Sequence, residues 1–227
     1  MSQIALYYGK GSCSLAPHSL LQHLGLSFKV VEMVYGDNGL ETADGSLSNA
    51  EYRKINPAGY VPCLVVNGEP ITEQFAVLTM IALLSPDKEA GEALLGRNSL
   101  DRVRVTQWMS WLSDTLHSSG YGAYLHPQRY VEDHKDKYDA VKVKGHKVIE
   151  YAHDIIEKKL TGRTYAVGDH LTVVDIFVYV IWRWGEPLAG IDMKKKYPAY
   201  TKLAQRVEAL DGVKKATKAE GVPLFFE

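Results

Sequence analysis

The run Tyr8-Gly-Lys-Gly-Ser-Cys-Ser-Leu-Ala-Pro-His18 sets a sulfur, two glycines and small hydroxyls between an apolar strand-like segment and a helix-like one. A chain that passes through such a turn places Cys13 where the helix begins. The first N–H groups of a helix lack internal partners and the peptide dipoles add partial positive charge there, so a thiolate or another anion is stabilised. Ser14 is expected to cap the helix, and Pro17 falls in its first turn, where a missing N–H costs nothing. The same corner is also a general anion site, so this run leaves thiol chemistry and plain anion binding both open.

Two further positions complement it. Val61-Pro62 follows the turn-forming Asn56-Pro-Ala-Gly59; a cis bond there would turn the Val61 backbone outward to pair with an extended peptide, whereas the plain reading is a proline at a strand start. Glu73-Gln74, at the start of a helix opened by Thr72, could receive a carboxylate, or Glu73 could simply be a first-turn dipole partner. Two anion-receiving helix ends and one open backbone edge would suit a small anionic peptide carrying a thiol.

These positions need elements to hold them. Gln3 to Tyr8 reads as a strand, Leu15 to Leu24 as a helix ending at Gly25, and Phe28 to Met33 as a second, parallel strand. Tyr35 to Ser48, rich in Gly, Asp and Asn, reads as a loop. Cys63 to Val66 and Glu69 to Ile71 flank Asn67-Gly68, a hairpin signal. With the helix from Thr72 through Leu84, the first part reads β-α-β-(α)-β-β-α. The charged stretch after Pro86 reads as a linker. Beyond it helical periodicity covers Leu100 to Ser119, Tyr130 to Leu160, Thr172 to Trp184 and Tyr197 to Leu210, and Lys135 to Lys147 reads as a solvated helix face.

The 227 residues carry 26 basic and 27 acidic side chains, so no overall field holds a nucleic acid or an anionic membrane. The start shows no secretory pattern, and the apolar run from Val173 to Trp184, interrupted by Asp175, falls short of the roughly twenty residues that span a bilayer. Cys13 and Cys63 read as free thiols in a cytoplasmic protein, and Cys63, inside an apolar strand, reads as inert.

The blocks Tyr8 to His18, Asn56 to Leu64, Ile71 to Ala76 and Gly168 to Asp175 stand in the order and spacing of cytosolic glutathione S-transferases, and the chain resembles that family over almost its whole length. Its first block is most similar to the beta class, which has a cysteine at the place of Cys13. The resemblance implies an α/β thioredoxin-like domain over 1–85, a linker over 86–98 and an all-helical domain over 99–227. It implies glutathione as co-substrate, no metal, a small apolar electrophile or a disulfide as second substrate, and a homodimer. Candidate catalytic residues are then Cys13, Ser14, Tyr8 and His117, with Tyr8 reading also as a buried strand aromatic and His117 as a packed or capping histidine, and glutathione-binding ones Cys13, Val61, cis-Pro62, Glu73 and Gln74. Thr172 and Asp175 match a capping box with a folding role.

The chain departs from the pattern in three places. Gln74 stands where many relatives have serine, Ser118 follows His117 where beta-class relatives often have lysine, and no basic residue lies between Tyr35 and Tyr52. The glycyl carboxylate therefore falls to Lys10, Arg53, His117 or a second subunit. The activities implied are conjugation or thiol–disulfide exchange, with a glutathione-dependent isomerase, an ether-cleaving enzyme or a non-enzymatic binding protein as alternatives on the same scaffold.

Overall fold

The computed structural model describes residues 2–226 and contains two compact units, Met1–Arg97 with Gln205–Glu227, and Asn98–Ala204. The first unit is built on a five-stranded mixed sheet of order β3-β2-β1-β4-β5. Strand β1 (Ile4–Tyr8) pairs in parallel with β2 (Lys29–Gly36) and antiparallel with β4 (Cys63–Val66), which sets Tyr7 opposite Cys63. Asn67 and Gly68, both at positive φ, turn β4 into β5 (Glu69–Ile71), as the residue pair predicts.

The sheet is covered by helices whose apolar faces the sequence pattern supplies. Strand β1 alternates buried and half-buried residues, and Ile4, Leu6 and Tyr8 point to one face. Helices α1 (Leu15–His23) and α3 (Gln74–Leu83) contribute Leu15, Leu20, Leu21, Val77, Leu78 and Ile81, all fully buried. Each such side chain contributes about 1.5–3 kcal/mol of transfer free energy. Helix α2 (Asn49–Ile55) brings Tyr52 into a separate cluster with Met33, Leu40 and Cys63. Its start is a reciprocal capping box between Ser48 and Glu51.

Several expectations need correction. The stretch Tyr35 to Ser48 is not all loop: β2 runs to Gly36, and β3 (Gly39–Thr42) returns antiparallel to it. Leu40 and Thr42 turn inward on β3 while the Gly- and Asp-rich flanks hide that alternation in the sequence. Helix α3 begins at Gln74 rather than Thr72, because Glu73 sits at φ +65°, outside the helical region. The segment 86–98 contains a helix, α4 (Lys88–Ala93), capped by the Asp87 carboxylate; Gly91 lies so close to the Ala82 carbonyl that a Cβ would fall 2.3 Å from it.

The helical region also does not run as one body from 99 to 227. Helix α12 (Asp211–Glu220) packs in the first unit against α1, with Gly212 so near His23 that an added Cβ would lie 2.4 Å from the His23 Cα. The apolar periodicity of α12 marks a buried face without stating which partner buries it.

The second unit is helical throughout. Helix α5 (Ser99–Trp111), capped by the Asn98 side chain, continues as a π-wound segment over Leu112–Gly122 and a turn of helix α6 (Ala123–Leu125). The expected helix from Tyr130 to Leu160 is broken: α7 is short (Gln128–Val131), Glu132 takes a positive φ, a 3₁₀ turn follows at Lys135–Lys137, and the long helix α8 begins at Tyr138 and runs to Leu160. The lysines from Lys135 to Lys147 are exposed, as a solvated face requires.

Helix α9 (Val173–Ala189) forms the centre of this unit, and every residue from Val173 to Gly185 is buried. Its start is tied by Asp175, whose carboxylate accepts from the Thr172 N–H and hydroxyl (both 2.8 Å) and from the Ala166 N–H (2.7 Å). Burial pushes the Asp175 carboxyl up to about 6 against those hydrogen bonds, which pull it down. The chain then passes α10 (Met193–Lys196) and α11 (Pro198–Glu208). Among the described residues no helix is long and apolar enough to cross a membrane.

Candidate functional site

The turn before α1 is self-contained. The Ser12 N–H donates to the Gly9 carbonyl (3.1 Å), the Ser14 hydroxyl donates to the same carbonyl (3.1 Å) and accepts from the Gly9 N–H (3.0 Å), and the Ser12 and Ser14 hydroxyls lie 2.7 Å apart. Ser14 thus occupies the N-cap position with no side-chain cap bond, contrary to expectation. Its hydroxyl braces the turn. The helical N–H groups of Leu15 and Ala16 are taken by the Ser12 and Cys13 carbonyls.

Cys13 stands on this brace, almost fully buried, and its Sγ–H donates to the Val61 carbonyl at 3.4 Å. Burial pushes the thiol up to about 12, and the Glu220 charge adds to it; the Ser12 hydroxyl and the backbone N–H groups of Cys13 and Ser14 pull the other way but do not prevail. The low-pKa thiolate expected at a helix end is therefore replaced by a protonated donor, because desolvation outweighs the helix-end field. Cys63 is a second buried thiol, pushed up to about 11 by burial, and both cysteines are free.

The Val61–Pro62 peptide is cis. The Val61 carbonyl receives the Cys13 thiol, and its N–H donates to no group among the described residues. Across the same corner Gln74, 9% exposed, donates its Nε2–H to the Cys13 carbonyl at 3.2 Å, while its Oε1 is buried with no partner. A carbonyl facing Oε1 instead would set two acceptors together, so the Cys13 oxygen fixes the amide orientation. The first N–H groups of α3 receive no side-chain cap, and the Glu73 side chain is exposed. Cys13, Ser14, Val61, Pro62 and Gln74 are thus gathered at one place, with Glu73 at its rim.

Tyr8 is a buried strand residue whose hydroxyl donates to Glu32 Oε2 at 3.4 Å; burial, then the Glu32 charge, push it up to about 12. Lys10 pairs with the other Glu32 oxygen at 3.0 Å, and the Arg53 side chain is committed to Asn49 Oδ1 (3.1 Å) and the Pro57 carbonyl (2.8 Å). Each of these two cations thus has a partner within the first unit. His117 belongs to the helical unit, in the π-wound segment, with its ring 5.7 Å from that of Trp184 and 6.2 Å from that of Phe177. Burial, with the Arg129 charge, pushes it down to about 4, so it is neutral at pH 7.

Glu32 and Glu220, which no motif in the sequence marks, support this corner together with Gly11 and His18 of the Tyr8–His18 run. The Gly11 N–H donates to Glu220 Oε2 and His18 Nδ1 lies against Glu220 Oε1, each at 2.8 Å. No local signal marks a glutamate 209 positions from its partner. Among the described residues no group of three His, Cys, Asp or Glu side chains is placed to hold a metal.

A mixed sheet flanked by α1 and α3, with a cysteine at the start of α1 facing the residue before a cis-proline, defines a thioredoxin-like unit built to handle a thiol. Residues 11–83 match the model of the glutathione S-transferase N-terminal domain and residues 112–211 that of the C-terminal domain. The chain is 26% identical over 220 residues, covering 96% of it and 98% of the relative, to glutathione S-transferase GstA of Escherichia coli O157:H7. Among solved structures it resembles a sphingomonad glutathione S-transferase complexed with glutathione (30% identity, TM-score 0.77, 96% of this chain and 100% of that one). It also resembles the bacterial beta class enzyme of Sphingomonas chungbukensis (28% identity, TM-score 0.76, with the same coverage). The chain belongs to the glutathione S-transferase family.

Proposed function

We infer that this chain is a glutathione transferase in which glutathione itself supplies the attacking thiolate, and that Cys13, Val61 and Gln74 hold it. The observation that carries this is the Cys13 thiol, protonated, buried and donating to Val61. Burial raises that thiol well above an ordinary cysteine and so favours its protonated form at pH 7. A thiol held protonated is a poor attacker, whereas its S–H, once turned from the Val61 carbonyl to bound glutathione, would stabilise a neighbouring thiolate. The conjugation reading is therefore favoured over exchange initiated by Cys13.

The residues fit the tripeptide. The unpaired Val61 N–H, beside its carbonyl, offers a strand edge to the cysteinyl backbone. The uncapped start of α3 offers N–H groups and a positive helix end to the γ-glutamyl carboxylate, with Gln74 and Glu73 at its edge. Tyr8 and Ser14 hold the sulfur turn through Glu32 and Gly9. Neutral His117, among Phe177 and Trp184, is suited to an apolar second substrate. A small electrophile as acceptor, a cytoplasmic location and a homodimer complete the proposal; the two free thiols support a reducing compartment.

Retention on immobilised glutathione, followed by a conjugation assay with an aryl chloride, tests the reading. Retention and glutathione-dependent product are expected, with Cys13→Ala keeping measurable conjugation. Absence of retention would overturn glutathione use, and complete loss of conjugation in folded Cys13→Ala would overturn the assignment of the nucleophile. Analytical ultracentrifugation checks the dimer, which a single monomer boundary at micromolar concentration would refute.

A further inference from the structure

The turn that carries Cys13 is braced from inside by Ser12 and Ser14, but it is also held from outside by residues about two hundred positions away. Glu220, at the end of α12, is fully buried and divides its two oxygens between the Gly11 N–H and His18 Nδ1, each at 2.8 Å. Gly11 sits at φ +65°, and a Cβ built on it would meet the Val222 Cγ1 at 3.4 Å, so the residues after α12 lie directly against the turn. His18, itself 2% exposed, packs its ring against Tyr8 and Phe28, both at 5.6 Å between centroids.

The backbone that follows Glu220 is in turn clamped. Glu208, 1% exposed, accepts the Phe225 N–H (2.9 Å to Oε1, 3.1 Å to Oε2) and the Phe226 N–H (2.6 Å). Two buried carboxylates thus stand at the two ends of this stretch, Glu220 on the turn and Glu208 on the Phe225 and Phe226 backbone. A helix that merely packed on α1 would need only apolar burial, of the kind that Val213 and Ala216 on α12 have. Burying a carboxylate is costly unless both oxygens are paired, and here one of the two pairs is spent on the turn beside the sulfur.

We propose that Glu220 is a positioning residue for the sulfur site, fixing the Gly9–Cys13 turn through the Gly11 N–H, and that the Glu208 clamp on Phe225 and Phe226 holds the following segment in place for it. The proposal rests on the preceding reading only in taking Cys13 as the seat of sulfur chemistry. Removing the anchor frees the turn to expose Cys13. Burial is what holds the thiol up, so exposure lowers its pKa and speeds alkylation, while the loss of position slows transfer.

The test is the pH dependence of Cys13 alkylation by iodoacetamide, read by peptide mass spectrometry so that Cys63 is scored separately, with no glutathione present. Glu220→Ala is expected to shift the alkylation midpoint down by at least one pH unit, to raise the rate at pH 7.5 at least tenfold, and to lower kcat/KM for conjugation at least tenfold. Glu220→Gln keeps an oxygen for Gly11 but removes the charge that also raises the Cys13 thiol; it is expected to stay within threefold of the wild-type rate at pH 7.5, so that the larger change in Glu220→Ala reports the lost position and not the lost charge. Leu160→Ala, which destabilises the helical unit, is expected to leave the profile unchanged under native conditions.

Should Glu220→Ala not fold, Glu208→Gln decides. It leaves one amide oxygen for two N–H donors and is expected to speed alkylation at pH 7.5 at least threefold. A wild-type alkylation profile in folded Glu220→Ala, or in Glu208→Gln where that variant decides, overturns the proposal. Failure of glutathione retention would leave this alkylation result intact, so the two readings fail separately.

Discussion

Gln74 donates its side-chain N–H to the Cys13 carbonyl at 3.2 Å, and so joins the start of α3 to the start of α1 across 61 positions of sequence. The bond commits the amide's donor to the protein and leaves Oε1 buried and unpaired, a cost of about 1–3 kcal/mol.

Gln74→Ala removes both the tie and the orphaned acceptor. KM for glutathione is expected to rise about tenfold, whereas stability should change by no more than about 1 kcal/mol because the two effects oppose each other. Steady-state kinetics beside urea denaturation check this, and an unchanged KM would remove Gln74 from the glutathione site.

For the wild-type protein, the Cys13 thiol is expected to titrate near 12, far above an ordinary cysteine, and to alkylate correspondingly slowly at pH 7.5. Absorbance at 240 nm, which reports thiolate, checks it in Cys63→Ala. A midpoint below 9 would show that the helix-end field, and not burial, controls this sulfur.

Asp175→Ala strands three donors, the Ala166 N–H and the Thr172 N–H and hydroxyl, inside the helical unit. A loss of about 2–4 kcal/mol in urea denaturation is expected, with activity per folded molecule unchanged, because Asp175 serves the start of α9. A large fall in kcat for the folded fraction would contradict this division.

His153 is fully buried on α8, its Nε2 3.1 Å from the Tyr121 hydroxyl, and burial pushes it down to about 3. The unfolded chain then binds a proton between about pH 6.5 and 3 that the folded one does not. The stability this histidine contributes is complete above 6.5 and falls away as pH drops towards 3, by about 2 kcal/mol at pH 5. Urea denaturation at pH 7.5 and pH 5 checks the sign, and His153→Phe is expected to flatten that slope; an identical slope would refute it.

Much of the first unit could be read from residue patterns. The Asn67-Gly68 pair specifies a turn by its own φ preferences, and the alternation of Ile4, Leu6 and Tyr8 specifies a strand with one buried face. Strand β3 escaped because its one strongly apolar residue, Leu40, sits among Gly, Asp and Asn, and its place is set by pairing with β2 and not by its own composition. The break before α8 escaped because the helical period of residues 130–137 contains nothing that forbids a helix, yet Glu132 takes φ +42°.

The site divides in the same way. Local sequence determined the glycine turn, the position of Cys13 at the start of α1 and the hairpin beyond Pro62, since each depends on neighbours a few bonds away. Only the tertiary structure decided the state of the sulfur. The field of a helix end is local, but desolvation is the sum of everything packed around a group, and Val61, Gln74 and Glu220 reach Cys13 and its turn from separate parts of the chain. That is why the run that reads as a thiolate site folds into one holding a protonated thiol.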